Sequence, residues 1–332
     1  MSGEREVPSI QRPACSDLAA FARGLGFLAT GIASLEPSRR GDALDAWLGA
    51  GYGGTMRYLH RGAAKRKRPG DIVPGASVAV VVLENYLPAG SQAAGKPGSQ
   101  SVKVAKYALG EDYHRALKRR LGLIAEWLIE RGATIAHVWA DDGPVPEREL
   151  AERAGLGWIG KNTMLIRPQS GSLCLIGSVF TDLALEPAHA KDIDRCGSCT
   201  RCLEACPTGA FVDARVLDAT RCISYLTIES RQPIPEGLAA SLEGWAFGCD
   251  ICNDVCPWNA RFAGPTTVAA YRDRGAIATG DPEFFERMTP EDFTARFGDT
   301  PLERPGLSGM RRNWAAAFRN RAPRSSPSPA GS

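Results

Sequence analysis

The apolar positions change period several times between residues 14 and 190. Residues 16–23 read as a short amphipathic helix, with Ser16 as N-cap and Gly24 as stop. The run SVAVVVL (77–83) is β-branched and unbroken, the signature of a strand buried on both faces. Over 112–131 the apolar residues Leu117, Leu121, Ile124 and Leu128 fall at helical spacing, while Arg115, Lys118, Arg119 and Glu126 occupy the other face. Residues 133–140 predict a strand that runs into Asp141-Asp142-Gly143-Pro144, a turn signal. A helix over 145–154, a glycine-rich GLGWIGKNT (155–163) and strands over 164–166 and 173–180 follow. The pattern predicts a mixed α/β domain with a mixed sheet.

From Arg195 the chain turns dense in Cys, Gly and Pro. Beyond Ala263 it becomes polar and helical, with short pieces at 282–287, 290–297 and 311–319. The expected organisation is an α+β fold: a mixed α/β domain over 14–190, a ferredoxin-like module over 191–264 and a helical extension over 265–321. The Pro/Ser-rich tail over 322–332 is expected to be disordered. A chain of 332 residues with 44% hydrophobic content has material for such a core. The formal net charge of +3 excludes a globally polyanion-binding protein, though not local basic patches. The N-terminus shows neither a twin arginine nor an apolar signal region, and the run 76–83 is too short to span a bilayer. A cytoplasmic protein without membrane contact is expected.

Ten cysteines in such a protein point to metal or redox chemistry. Cys15 and Cys174 stand alone and are expected to be small buried hydrophobes. The others form Cys196-x2-Cys199-x2-Cys202-x3-Cys206-Pro and Cys249-x2-Cys252-x3-Cys256-Pro, with Cys222 between them. Three thiolates at two-residue gaps wrap three corners of a cubane, and the fourth cysteine of such a run ligates the other cluster. Cys196, Cys199, Cys202 and Cys256 are thereby assigned to one 4Fe–4S cluster, and Cys206, Cys222, Cys249 and Cys252 to a second. Paired zinc sites use two C-x2-C units across a longer gap, a poorer match.

No P-loop is present. GLGWIG has dinucleotide-motif spacing, but a helix precedes it. The segments MRYLHR (56–61), KYALGEDYH (106–114), DDGPVPERELAERAGLGWIGKNTML (141–165), RCISYLTIE (221–229) and GCDICNDVCPWN (248–259), together with the first cysteine motif, resemble the epoxyqueuosine reductases over residues 14–320. The resemblance implies reduction of the epoxide of epoxyqueuosine to the alkene of queuosine at the wobble position of a tRNA anticodon. It implies a cobalamin-binding catalytic domain ahead of the clusters. It also implies Asp141 as proton donor, with a carboxyl desolvated under the corrin and so raised in pKa. Arg57, Lys106, Lys161, Asn162, Thr163, Ser224 and Glu229 lie in the matching segments as cobalamin contacts. His60, His114, His137 and His189 are scattered and fit no lower-ligand motif, so base-off cobalamin is expected. The rival readings are a corrinoid reductive dehalogenase and a plain iron–sulfur electron carrier.

Three basic clusters stand out: Arg57, Arg61, Lys65, Arg66, Lys67 and Arg68; Arg115, Lys118, Arg119 and Arg120; and Arg311, Arg312, Arg319 and Arg321. They are expected to meet tRNA phosphates. The remaining expected partner is an external low-potential electron donor, and the protein is expected to act as a monomer.

Overall fold

A computed structural model describes residues 15–90, 102–188, 194–275, 277 and 281–319. The predicted tail, His189 and Arg321 lie outside the described residues. In chain order the first part forms α1 (Cys15–Gly24), β1 (Ala29–Ser34), α2 (Gly41–Gly49), α3 (Arg57–Arg61), α4 (Ala63–Lys67), β2 (Val78–Asn85) and β3 (Lys103–Val104). It continues with α5 (Tyr113–Ile129), β4 (Ala136–Trp139), α6 (Glu147–Arg153), β5 (Trp158–Ile159), β6 (Leu165–Ile166) and β7 (Cys174–Thr181).

Strands β1, β2, β7 and β4 lie side by side in that order, and every neighbouring pair is antiparallel. The sheet is therefore not mixed, and β2 shows why the pattern misled. Val78, Val80 and Val82 join Leu18 of α1 and Leu117, Leu121 and Ile124 of α5 on one face. Ala79, Val81 and Leu83 join Leu150 and Ala151 of α6 on the other. Helices on both faces remove the alternation from the sequence, whichever way the neighbouring strands run. Helix α5 is capped by Asp112, whose carboxylate accepts the N–H of His114 at 3.0 Å. It sits close against β7 at Gly177, where a Cβ would come within 2.8 Å of Leu121.

At the N-terminal end, Ser16 lies inside α1 and donates its hydroxyl to Asp17 at 3.5 Å rather than flanking the helix. The residue that leaves α1 in the left-handed region is Gly26, φ 90°, two positions beyond the expected stop.

The second part forms α7 (Arg201–Glu204), β8 (Phe211–Asp213), β9 (Val216–Leu217), a π-helical turn at Tyr225–Glu229, α8 (Glu236–Ala239), β10 (Trp245–Phe247), α9 (Ile251–Asp254), α10 (Pro257–Phe262), α11 (Pro290–Phe297) and α12 (Gly306–Arg319). Strand β10 reaches back to pair in parallel with β3. Residues 282–287 form turns, not a helix. Adjacent Phe284 and Phe285 both pack into the aromatic core there. That core gathers Phe247 of β10, Phe293 and Phe297 of α11, and Met310 and Trp314 of α12. The last helix thus closes over the cysteine-rich region. Among the described residues no helix is long and apolar enough to cross a membrane.

The cysteine-rich region is fastened to the sheet domain by polar contacts with specific geometry. Gly171, at φ 81°, leaves room for Asn259, which a Cβ there would overlap. Asn259 accepts the Ser172 N–H at 2.6 Å and donates to the Ser172 hydroxyl at 2.9 Å and the Asn253 carbonyl at 2.8 Å. Trp47 of α2 donates to the Leu217 carbonyl at 2.6 Å, and the Thr55 N–H donates to the Tyr225 hydroxyl at 2.8 Å.

Candidate active site

The structure brings Cys196, Cys199, Cys202 and Cys256 together around a cavity of about 160 Å³, closed on the sheet-domain side by Lys161 and Asn162. Burial pushes the Cys202 and Cys256 thiols up, and their neighbours in this set push further. Cys222, Cys249 and Cys252 form a more deeply packed set with Cys206. Burial again raises their pKa values, and the thiolates of this set oppose one another's ionisation. Cys252 also feels Cys202 across the gap, so the two sets adjoin. Buried sulfurs that resist ionisation together need a compensating cation, and iron supplies it on binding thiolate. The donor sets therefore fit iron–sulfur clusters.

Cys15 does not fulfil its expectation, because it is exposed at the start of α1. Cys174 is partly buried against the core, with its thiol pushed up to about 12 by burial, against the opposing charge of Arg167.

The second focus is the turn after β4. Asp141 adopts φ 58°, a left-handed conformation uncommon outside glycine. Its N–H donates to Glu147 Oε1 at 2.7 Å, and its carboxylate accepts the Tyr113 hydroxyl. The Asp141 side chain is 62% exposed. Turn geometry explains this: the left-handed residue projects outward while the chain reverses beneath it. Asp142 points elsewhere, pairing with Lys118 and accepting the Ala140 N–H at 3.0 Å. Burial alone would raise its pKa, but Lys118 and that N–H together hold it below the usual carboxylate range. A second acid, the partly buried Glu147, stands on the first turn of α6. Burial, reinforced by the Asp141 charge, pushes its carboxyl up to about 8.

Other groups converge on this turn. Arg66 donates to the carbonyls of Gly143 at 3.2 Å and Val145 at 2.9 Å, tying the turn to α4. Tyr113 stacks on His114 with ring centroids 4.1 Å apart. Tyr107 is held neutral by burial and by the fields of Asp141, Asp250 and Glu229. Its ring packs edge-on against Tyr113, with centroids 5.8 Å apart. Tyr58 feels Glu229, Arg304, Asp141 and Arg66, which sets Glu229 on the same side.

The remaining sequence candidates have diverse placements. Arg57 is exposed on α3. Lys106 is enclosed, its Nζ 2.5 Å from Asp254 and 3.5 Å from Asp250. Lys161 donates to the Gly197 carbonyl at 2.7 Å, beside the first cysteine set. Asn162 is buried, donating to the Cys252 carbonyl at 3.5 Å and accepting the Met164 N–H at 3.3 Å. Thr163 takes φ 66°, with its carbonyl receiving Arg148 at 3.0 Å. The Ser224 backbone and side chain hydrogen-bond to Cys222. Glu229 takes a two-pronged contact from Arg304 at 3.2 and 3.0 Å. Glu147 and Tyr113 are not singled out by the sequence, whereas Tyr58 reads there only as an aromatic within the first basic stretch. An acid opening a helix six residues after the Asp141 turn was the available signal for the first.

The basic clusters divide. Arg120 pairs with buried Glu84, Arg119 with Glu111 and Lys67 with Asp45. Arg311 donates to the carbonyls of Phe285, Glu286 and Met288, and Arg312 to those of Leu226, Ser230 and Gln232. Those arginines build structure. Arg57, Arg61, Lys65 and Arg68 remain exposed on and around α3 and α4.

Comparison with known proteins joins these observations. A 4Fe-4S double cluster binding domain matches residues 195–259, which contain all eight clustered cysteines, so the chain carries a double-cluster domain. The family model described as Epoxyqueuosine reductase QueG, DUF1730 matches residues 66–141. The epoxyqueuosine reductase of Pseudomonas aeruginosa is 39% identical over 302 residues, covering 90% of this chain and 83% of its own. That of Synechocystis is 39% identical over 289 residues, covering 85% and 98%. A crystal structure of epoxyqueuosine reductase with an epoxyqueuosine-modified tRNA stem loop superposes with a TM-score of 0.82 at 27% identity, covering 92% of this chain and 80% of that one. A Bacillus subtilis epoxyqueuosine reductase structure, TM-score 0.80 and 27% identity over 92% of this chain and 82% of its own, is described with an aspartate catalytic loop swung out of the active site. With such identity along nearly its whole length, the chain belongs to the epoxyqueuosine reductase family.

Proposed function

We propose that this protein reduces the epoxide of epoxyqueuosine in tRNA to the alkene of queuosine, at the wobble position of the anticodon. The observation that carries the reading is the Asp141 turn, an exposed acid backed by a tyrosine and a second carboxyl. Through Tyr107 it lies in the same electrostatic field as the acid beside Cys249. The names of the relatives and the tRNA stem loop in one solved structure support the substrate.

In this reading Asp141 gives the proton to the leaving oxygen. Cys196, Cys199, Cys202 and Cys256 hold one cluster, and Cys206, Cys222, Cys249 and Cys252 the other. Cobalamin, bound base-off, would supply a strong reductant at the epoxide carbon. The open face of Asp141 fits a cofactor that needs a proton donor opposite it, and Ser224 and Glu229 connect that face to Cys222. Arg57, Lys161, Thr163, Ser224 and Glu229 would contact the cofactor, while Lys106, held by Asp250 and Asp254, and Asn162, held at Cys252, would be less open to it. Arg57, Arg61, Lys65 and Arg68 take tRNA phosphates. An external low-potential donor reduces the clusters of a cytoplasmic monomer.

The test is anaerobic reconstitution with iron, sulfide and cobalamin. The chemically reduced enzyme is then incubated with tRNA from cells that accumulate epoxyqueuosine, and nucleosides are read by mass spectrometry. Conversion to queuosine is expected. Unchanged epoxyqueuosine with clusters and cobalamin both loaded would overturn the assignment.

A further inference from the structure

Deoxygenating an epoxide to an alkene breaks both C–O bonds, forms one C=C bond and releases the oxygen as water. The balance takes two electrons, supplied by the reduced clusters, and two protons. Asp141 meets the substrate in the reading above, on which this inference rests, and its side chain is 62% exposed. A second acid, partly buried, lies behind it. Glu147 opens α6, and its Oε1 takes the Asp141 N–H at 2.7 Å. An aspartate's carboxyl cannot lie far from its own N–H, so the two acids are neighbours, and Asp141 is the charge that acts most strongly on Glu147.

The other groups facing Glu147 are Arg66 from α4, Arg148 on its own helix and Tyr113 from α5. Arg66 directs its two terminal nitrogens to the Val145 and Gly143 carbonyls, and its buried Nε has no hydrogen-bond partner among the described residues. Arg148 reaches out to the Thr163 carbonyl at 3.0 Å. No ion pair to Glu147 forms among the described residues, so neither guanidinium neutralises it directly.

We propose that Glu147 is the proton reservoir of this site, holding a proton behind Asp141 and passing it through Asp141 to the oxygen that leaves. The stored proton is one of the two required, and the second enters from water as Glu147 refills. Burial pushes the Glu147 carboxyl up to about 8, which keeps it protonated at neutral pH. The relay runs downhill overall, because an alkoxide-like oxygen is a far stronger base than either carboxylate. Asp141 touches the substrate, and Glu147 acts through it.

The test compares the holoenzyme with Glu147→Gln, which keeps an oxygen for the Asp141 N–H but holds no proton. The readout is the single-turnover rate of epoxide loss on epoxyqueuosine-containing tRNA by pre-reduced enzyme. The wild-type rate should fall as pH rises through about 8. Glu147→Gln should be slower at neutral pH by about a hundredfold and should lack that limb. A variant within twofold of wild type with the same pH profile overturns the proposal. Infrared spectra of 13C-glutamate-labelled enzyme give a readout independent of turnover and of the variant's folding. A protonated glutamate carboxyl should persist at neutral pH and vanish through about pH 8. No such band overturns the proposal. Wild-type enzyme that shows the band but never forms queuosine refutes the tRNA reading while leaving the reservoir in place.

Discussion

Lys106 offers the sharpest test of how the cysteine-rich module is held. Its Nζ lies 2.5 Å from Asp254 and 3.5 Å from Asp250, with side chains 11%, 16% and 3% exposed. At an effective dielectric of about 20 each pair attracts by roughly 5–7 kcal/mol before desolvation is subtracted. Measured consequences of breaking a buried pair from one side are smaller, about 3–5 kcal/mol, because the surviving charge relaxes. Lys106→Met keeps the volume and keeps the backbone N–H that donates to Asp250 at 2.8 Å. The loss should therefore fall near about 3 kcal/mol, the lower end of that range. The assay is anaerobic urea denaturation followed by tryptophan fluorescence, with iron counted at each step. Lys106→Met/Asp250→Asn should recover part of the loss, since it removes the buried charge left behind. A single variant within about 1 kcal/mol of wild type, or a double variant no better than the single, would refute the clamp. It would also return Lys106 to the list of free cofactor contacts.

Four further outcomes are expected. Asp141→Ala should keep its iron content and lose epoxide reduction by about a hundredfold or more in the nucleoside assay. Cys222→Ser should lower anaerobically reconstituted iron from about eight to about four per chain, because it removes a ligand from one cubane only. Leu121→Ala, at a fully buried position against Gly177, should cost about 2–5 kcal/mol of stability by chemical denaturation. Glu147 has a folded-state pKa raised from 4.5 to about 8, so it contributes stability that is complete below about pH 4.5 and is lost as pH rises through about 8. Relative to Glu147→Gln, wild type should lose on the order of a few kcal/mol across that window in pH-dependent denaturation.

What the sequence made legible follows from how local each signal is. The cysteine spacing declares its chemistry in a few residues because cubane geometry admits few spacings, and the family match covers that same stretch. Helix α5 was equally readable, since one face carries the whole core contact and the other the charges. Strand direction was not: the β2 run looks the same in either sheet once helices cover both faces. The basic clusters misled for a related reason. A guanidinium that ends several backbone carbonyls, as Arg312 does, is composed of the same letters as one that meets phosphate. The acid pair shows the limit most clearly. The turn motif pointed at Asp141 and expected its carboxyl to be desolvated beneath a bound corrin. Which carboxyl is desolvated depends on the left-handed turn that throws Asp141 outward and on the helix start that tucks Glu147 beneath it. Both are properties of the folded chain, so the second carboxyl six positions on could not be singled out from the letters.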